Sequence, residues 1–274
     1  MAFKTWQVGL DIQNGQMCAL GILRRRGGWQ LRHWWQHALP KDTLIHGHLQ
    51  QSGVLKTILQ RWRKQLPSRI SLRVGFPPQL VLQRKIDMPD RHLREPCCAS
   101  YISAAAKRFF PVEPETLTLD YRQPELHDNQ LWLTATRREA LKSWTDLLQE
   151  ADLYPQVMEL TPAALCALAK HMLLTPGSAL IHRLEDHWLW YCVKQQPSWG
   201  WCSLEDAPVF RILRQKYLSD QVSFHYSSMT ATCLPEDSQW LNPFRVLAHQ
   251  QPPLPMMPGA FSVAAGLALR PGDA

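Results

Sequence analysis

Val8-Gly9-Leu10-Asp11-Ile12-Gln13-Asn14-Gly15-Gln16-Met17-Cys18-Ala19-Leu20 is the stretch that decides the fold. Two runs rich in apolar residues meet at Asn14-Gly15, a dipeptide favoured in two-residue hairpin turns because its residues tolerate positive φ. The first run carries an acid, Asp11, near its end. A strand continues over 16–24, a turn falls at Gly27-Gly28, and a third strand over 29–37 completes an antiparallel meander.

Working outward, Leu49, Val54, Leu55, Ile58, Leu59, Trp62 and Leu66 recur at helical spacing and predict a helix that ends before Pro67. A strand over 70–76 is stopped by Pro77-Pro78. Beyond it the pattern predicts a strand over 80–86, a mostly helical segment over 90–110 closed by Pro111, and strands over 116–121 and 131–136. A helix over 137–151 follows, with Leu141, Trp144, Leu147 and Leu148 on its apolar side, and then a short strand over 153–160. Thr161-Pro162 opens another helix through Leu174, with threonine as cap and proline in the first turn. Strands over 178–183, 188–194 and 199–204 form a second meander. It echoes the first in topology, without a fixed sequence period. A helix over 209–218, a proline-rich loop over 250–258 and a short apolar helix over 260–269 close the chain.

With 274 residues, 45% of them hydrophobic and 19% charged, the composition is that of a soluble globular protein of one to two domains and excludes a disordered chain. No apolar run approaches the roughly 20 residues needed to cross a bilayer. Met1-Ala2-Phe3-Lys4-Thr5-Trp6 lacks the apolar core of a signal peptide, so a cytosolic chain with no transmembrane segment is expected. The seven cysteines (Cys18, Cys97, Cys98, Cys166, Cys192, Cys202 and Cys233) are scattered without a C-x-x-C pair. That pattern reads as reduced, mostly buried thiols rather than a disulfide framework or a zinc site. The formal charge of +7 is distributed over short clusters: Arg24-Arg25-Arg26, Arg61-Trp62-Arg63-Lys64 and Lys107-Arg108. Solvated faces are one reading of these, and non-specific attraction to nucleic acid or an anionic leaflet is the other.

No G-x-S-x-G elbow, P-loop or H-E-x-x-H is present. His46-Gly47-His48 reads as a polar turn. His182, Glu185, Asp186 and His187 straddle an expected hairpin turn, which suits a solvated turn or an altered phosphate loop better than a metal site. Of twelve tryptophans, Trp188, Trp190, Trp199 and Trp201 alternate along neighbouring strands, which puts each pair on one sheet face. Core packing and base stacking are both open readings for these rings, and for Trp34-Trp35 and for Trp62 between Arg61 and Arg63.

An aspartate ending a buried first strand before a hairpin resembles the opening of actin-like ATPases. Further segments extend the resemblance: Val74-Gly75-Phe76-Pro77, the strand from Val81 to Met88-Pro89, Phe109-Phe110-Pro111, Leu119-Asp120-Tyr121, Thr134-Ala135-Thr136-Arg137 and Leu241-Asn242-Pro243-Phe244. The closing run is Phe261-Ser262-Val263-Ala264-Ala265-Gly266-Leu267-Ala268-Leu269-Arg270. In this order they are similar to the PilM family, the cytosolic actin-like proteins of type IV pilus and competence machines. The resemblance implies an α/β, actin-like (ribonuclease H-like) duplicated fold with an inserted mixed α/β subdomain. It divides the chain at 1–77, 78–155 and 156–274, the last being the second actin-like half with its C-terminal helix.

The departures from the pattern carry equal weight. Actin-like proteins usually follow Asp-Ile with glycine and place a cation a few residues on, where this chain has Gln13 and Cys18. The second phosphate strand, Asp-Ile-Gly in the family, corresponds to His182-Arg183-Leu184. Thr232-Cys233-Leu234-Pro235 stands where a Gly-Gly turn would contact adenosine. Phosphate cradles depend on close backbone access, which glycine permits. The nucleotide site implied by the resemblance is therefore a degenerate one at Asp11, Asn14 and Gly15, with no catalytic residue and no cofactor expected; ATP with magnesium is the alternative, and Asp11 as a plain polar strand end is another. The implied role is a non-enzymatic scaffold. It would dock the cytoplasmic N-terminal tail of a bitopic inner-membrane partner of the PilN or HofN kind and support use of extracellular DNA as a nutrient. The tail would lie in a groove bounded by 74–86 and 116–121. A nucleotide-switched ATPase and a direct, non-specific DNA binder are the rivals.

Overall fold

The computed structural model describes residues 5–87, 97–110, 112–122, 130–193 and 198–272. Strands β1 (Trp6–Gln13), β2 (Gln16–Arg25) and β3 (Gly28–Ala38) form the expected meander, turned at Asn14-Gly15 with Gly15 at φ 82°. A small hairpin follows, β4 (Leu44–Ile45) and β5 (His48–Leu49), with His46 and Gly47 at positive φ as its turn. Helix α1 (Ser52–Arg63) buries Leu55, Leu59 and Trp62. Strand β6 (Ile70–Phe76) then runs parallel to β1.

The chain next leaves the sheet. Strands β7 (Val81–Asp87), β8 (Leu117–Arg122) and β9 (Gln130–Arg137) build a separate antiparallel sheet in the order β7-β9-β8, and helix α2 (Cys97–Phe109) lies between β7 and β8 in sequence. Alternation decides the faces: Leu131, Leu133 and Ala135 join Ile102, Ala106 and Phe110 in a small core of their own. Helix α3 (Arg138–Glu150) and strand β10 (Pro155–Leu160) return to the first lobe. The sequence reading groups α3 with the insertion, yet Trp144, Leu147 and Leu148 pack in one core with α1 and β1, and Trp144 Nε1 donates to Gly47 O at 3.2 Å. Strand β10 runs parallel to β6 and completes a five-stranded sheet, β10-β6-β1-β2-β3.

Helix α4 (Thr161–His171), three residues shorter than expected, leads to β11 (Ser178–Arg183), β12 (His187–Cys192) and β13 (Trp199–Ser203), the second meander. After α5 (Phe210–Tyr217) come β14 (Ser223–Ser228) and β15 (Ser238–Trp240), both parallel additions that the sequence reading does not contain. The resulting order, β13-β12-β11-β14-β15, repeats the first sheet strand for strand: a meander, then two parallel strands. This is the duplicated actin-like fold. Of the sequence-based expectations, residues 88–96, Pro111 and Lys194 lie outside the described residues.

Helix α6 (Ser262–Leu269) is buried along its whole length and packs with α4 and the first lobe in one core. Its run of small residues has a steric cause. A Cβ on Gly266 would stand 2.1 Å from Ala164 O of α4, and a Cβ on Gly9 would stand 2.1 Å from Ala264 O of α6. Backbones at that separation admit only glycine. Among the described residues no helix is long and apolar enough to cross a membrane.

Candidate functional site

Two places could carry function: the cleft where the two meanders meet, and a groove beside the inserted sheet.

In the cleft, hairpin register places Asp11 and His182 in corresponding positions. Asp11 pairs with Cys18 and His182 with Leu189, and each stands three residues before its turn, at Asn14 and Glu185 respectively. Asp11-Ile12-Gln13 therefore corresponds to His182-Arg183-Leu184. Asp11 is fully buried, and Gln13 Nε2 donates to its Oδ1 at 2.7 Å. Burial pushes the Asp11 carboxyl up to about 7, with the Gln13 hydrogen bond opposing. His182 is buried too. Ser227 Oγ–H donates to Ile181 O at 3.1 Å, so the ring Nδ1–H donates to Ser227 Oγ at 2.8 Å. Burial, helped by His187, pushes His182 down to about 3, a neutral imidazole. Gln16 Nε2 reaches the second lobe at Met229 O, 3.1 Å, and buried Leu184 fills the place of the family glycine.

The turns themselves face each other. A Cβ on Gly15 would lie 2.5 Å from Glu185 Oε2, so a carboxylate stands in front of the first turn. Beside it, Asp186 Oδ1 and His187 Nδ1 are 2.6 Å apart. Burial acts to raise Asp186, but the hydrogen bond and charge of His187, with smaller help from a backbone amide and His46, leave it below its ordinary value. Phosphate oxygens at this place would meet an acid, and neither Asn14-Gly15 nor Glu185-Asp186 supplies a lysine or arginine. The residues present do not fit a phosphate cradle. Asn14 is part of the turn, with its Oδ1 buried and unpartnered among the described residues. The segment 232–235 is irregular chain before β15.

The groove is a cavity of about 560 Å³. One wall is the outward face of the inserted sheet, where period-two alternation presents Val81 and Gln83 from β7, Trp132, Thr134 and Thr136 from β9, and Thr118, Asp120 and Arg122 from β8. Phe76, Leu141, Met158 and Leu160 of the first lobe form the apolar side, with Ala163 and Lys170 of α4 and Trp199 of β13 completing it. Strands β8 and β10 are each the edge of their sheet. Arg122 on β8 reaches across to Glu159 on β10 at 2.9 Å, and Arg270 Nε holds the same carboxylate oxygen at 2.5 Å. The expected bounding segments, 74–86 and 116–121, do line this cavity. Glu159, Arg122 and Trp132 are absent from the sequence reading, and Trp199 is there only as a strand tryptophan, although the Thr118/Asp120/Arg122 alternation is visible in the sequence.

Most of the other expected positions resolve as packing, while Trp201 is exposed. Trp188 and Trp190 are buried on the α5 side of the second sheet, while Trp199 and Trp201 sit on the opposite face. Trp62 is fully buried and stacks on Trp35 at 5.5 Å, and Trp34 meets Phe261 edge-on. His46-Gly47-His48 forms the β4–β5 turn. Among the described residues no three His, Cys, Asp or Glu side chains are grouped to hold a metal.

Fold and cleft together define an actin-like protein whose two facing turns do not fit a phosphate cradle. The chain belongs to the PilM family: residues 9–179 match the family described as type IV pilus assembly protein PilM. It is 28% identical over 271 residues to the DNA utilization protein HofM of Escherichia coli (strain K12), covering 98% of each chain. Among solved structures it is similar to the PilM–PilN type IV pilus biogenesis complex, with a TM-score of 0.72 and 15% identity over 96% of this chain and 97% of that one. It is also similar to the cytoplasmic domain of EpsL, an inner-membrane component of the type II secretion system of Vibrio cholerae, with a TM-score of 0.54 and 11% identity over 94% and 93% of the two chains.

Proposed function

We propose that this protein is a non-enzymatic cytosolic scaffold of a DNA-uptake or type IV pilus-like machine. It docks the cytoplasmic N-terminal tail of a bitopic inner-membrane partner of the PilN or HofN kind, and so supports use of extracellular DNA as a nutrient. The observation that carries this reading is the groove between β8 and β10, each the edge strand of its sheet among the described residues. An extended peptide laid there would find main-chain partners on an edge and pockets for alternate side chains, the logic of strand addition. The names of the relatives agree: one is a DNA utilization protein and one was solved as a complex with PilN. In the interlobe cleft, Glu185 and Gln13 take the space and the hydrogen bonds that a nucleotide would need, so the scaffold works without ATP.

The test is fluorescence anisotropy with a labelled peptide from the partner's cytoplasmic N-terminus. A few buried apolar side chains at about 1.5–3 kcal/mol each, less ordering costs, give micromolar affinity without membrane or ATP. Thr118→Glu on one wall and Ala163→Glu on the other should each abolish binding. Absence of binding by folded wild-type protein at hundreds of micromolar overturns the proposal.

A further inference from the structure

The chain's positive charge is not spread evenly. At the end of the first lobe away from the groove, β1 and β6 begin, β2 ends and α1 ends. The β2–β3 tip exposes Arg24, Arg25 and Arg26. Arg61 and Lys64 are exposed at the end of α1, Arg69 just before β6, and Arg32 beside them on β3. Register ties them together, because Ile70 pairs with Trp6 and Gln7 pairs with Ile22, which brings Arg69 and Arg24 to the same rim two strands apart. None of the seven has an ion-pair partner among the described residues. The first lobe's two acids at this end are already engaged, Glu150 with Lys56 at 3.0 Å and Asp152 with Arg63 at 3.3 Å. The chain has 30 Lys and Arg against 23 Asp and Glu; removing these seven leaves 23 against 23. The whole net charge of the protein equals the charge of one rim.

The aromatic setting narrows what the rim can hold. Arg24 lies over the Trp29 ring at 5.0 Å and Arg32 over the Trp6 ring at 5.3 Å, so one face of each ring is already taken by a cation. Tyr154, 65% exposed just before β10, adds an amphipathic ring at the same edge. Arginines interleaved with Trp and Tyr suit the headgroup layer of a membrane, where a ring can sit half in and half out of water.

We infer that this rim binds the anionic phospholipid headgroups of a membrane leaflet directly, as a second contact independent of the groove. The inference rests on the proposed membrane partner only for its setting: a tail held in the groove would keep the protein beside the leaflet, where weak attraction at high effective concentration is enough. The rim and the groove lie at opposite ends of β10. A docked tail must therefore span the strand's six residues, about 20 Å, from leaflet to groove.

The experiment is co-sedimentation of the full chain with vesicles of phosphatidylcholine alone and of phosphatidylcholine with phosphatidylglycerol, at low and high salt. Binding is expected only with the anionic lipid and is lost at high salt. Each of Arg25→Gln, Arg26→Gln and Arg69→Gln should lower the partition about fivefold, since a cation near such a surface contributes about 1 kcal/mol. Arg211→Gln, an exposed cation on α5 away from the rim, should change nothing. The three rim substitutions are at exposed side chains, and the triple variant should keep the wild-type melting temperature and its tail-peptide affinity, which separates this contact from the groove. Equal binding to neutral vesicles, an unaffected triple variant, or tighter binding to a short DNA duplex than to the anionic vesicles at the same salt overturns the inference. The last outcome would assign the rim to nucleic acid. Should the triple variant unfold, the salt and lipid dependence of the wild type decides.

Discussion

Asp11 and His182 hold corresponding positions in the two sheets and titrate in opposite senses. The Asp11 carboxyl is raised from 3.8 to about 7, so its contribution to stability is present below 3.8 and is lost as pH climbs to 7. The His182 ring is lowered from 6.5 to about 3, so its contribution is present above 6.5 and is lost as pH falls to 3. Between pH 4 and 6.5 the two slopes oppose each other. Asp11→Asn removes the first and keeps an acceptor for Gln13. It should therefore be more stable than wild type at pH 8, by up to about 4 kcal/mol, and its melting temperature should rise with pH across that window. His182→Asn should show the reverse slope, with melting temperature falling as pH rises. Thermal unfolding from pH 4 to 8 checks both, and an Asp11→Asn protein no more stable than wild type at pH 8 contradicts the assignment of a carboxylate whose ionisation is opposed by burial.

At the scale of elements, α6 is the wedge between the lobes, and its glycine is a matter of backbone clearance. Gly266→Leu places a side chain where Ala164 O stands, so it should cost about 3 kcal/mol or more in urea unfolding, at or above the upper end of ordinary overpacking. A cost within 0.5 kcal/mol would mean that α4 and α6 do not cross so closely. The helix itself was legible in the sequence as a short apolar run over 260–269, while its close crossing with α4 was not. Both meanders were legible too, since each is a local hairpin series with turn residues in place. Strands β14 and β15 were not: Ser223 to Ser228 has only Phe224 and Tyr226 as apolar marks, and β15 is three residues long, so both owe their pairing to β11 already being there. The packing of α3 was hidden for a related reason. Its apolar face is plain in the sequence, but which core receives it depends on where the chain returns. In the cleft, the place of His182-Arg183-Leu184 came from the family resemblance, and the hairpin registers of the structure agree with it. That Glu185 faces Gly15 was not legible, because no local pattern relates residues 170 positions apart.

Over the whole molecule, the duplicated fold has its two turns facing each other directly, and a cavity of about 560 Å³ lies between the inserted sheet and the first lobe. The account's central claim is that binding has moved from the cleft to the groove. Hydrogen–deuterium exchange of the full chain, measured with the partner's tail peptide and separately with millimolar Mg-ATP, tests that claim most directly. The predicted result is slowed exchange in β8 and β10 with the peptide, and no change at 11–18 or 182–189 with Mg-ATP. A real nucleotide site at a hundred times its dissociation constant would add about 2.7 kcal/mol of protection. Protection of those two hairpins by Mg-ATP, with none of β8 and β10 by the peptide, would contradict it.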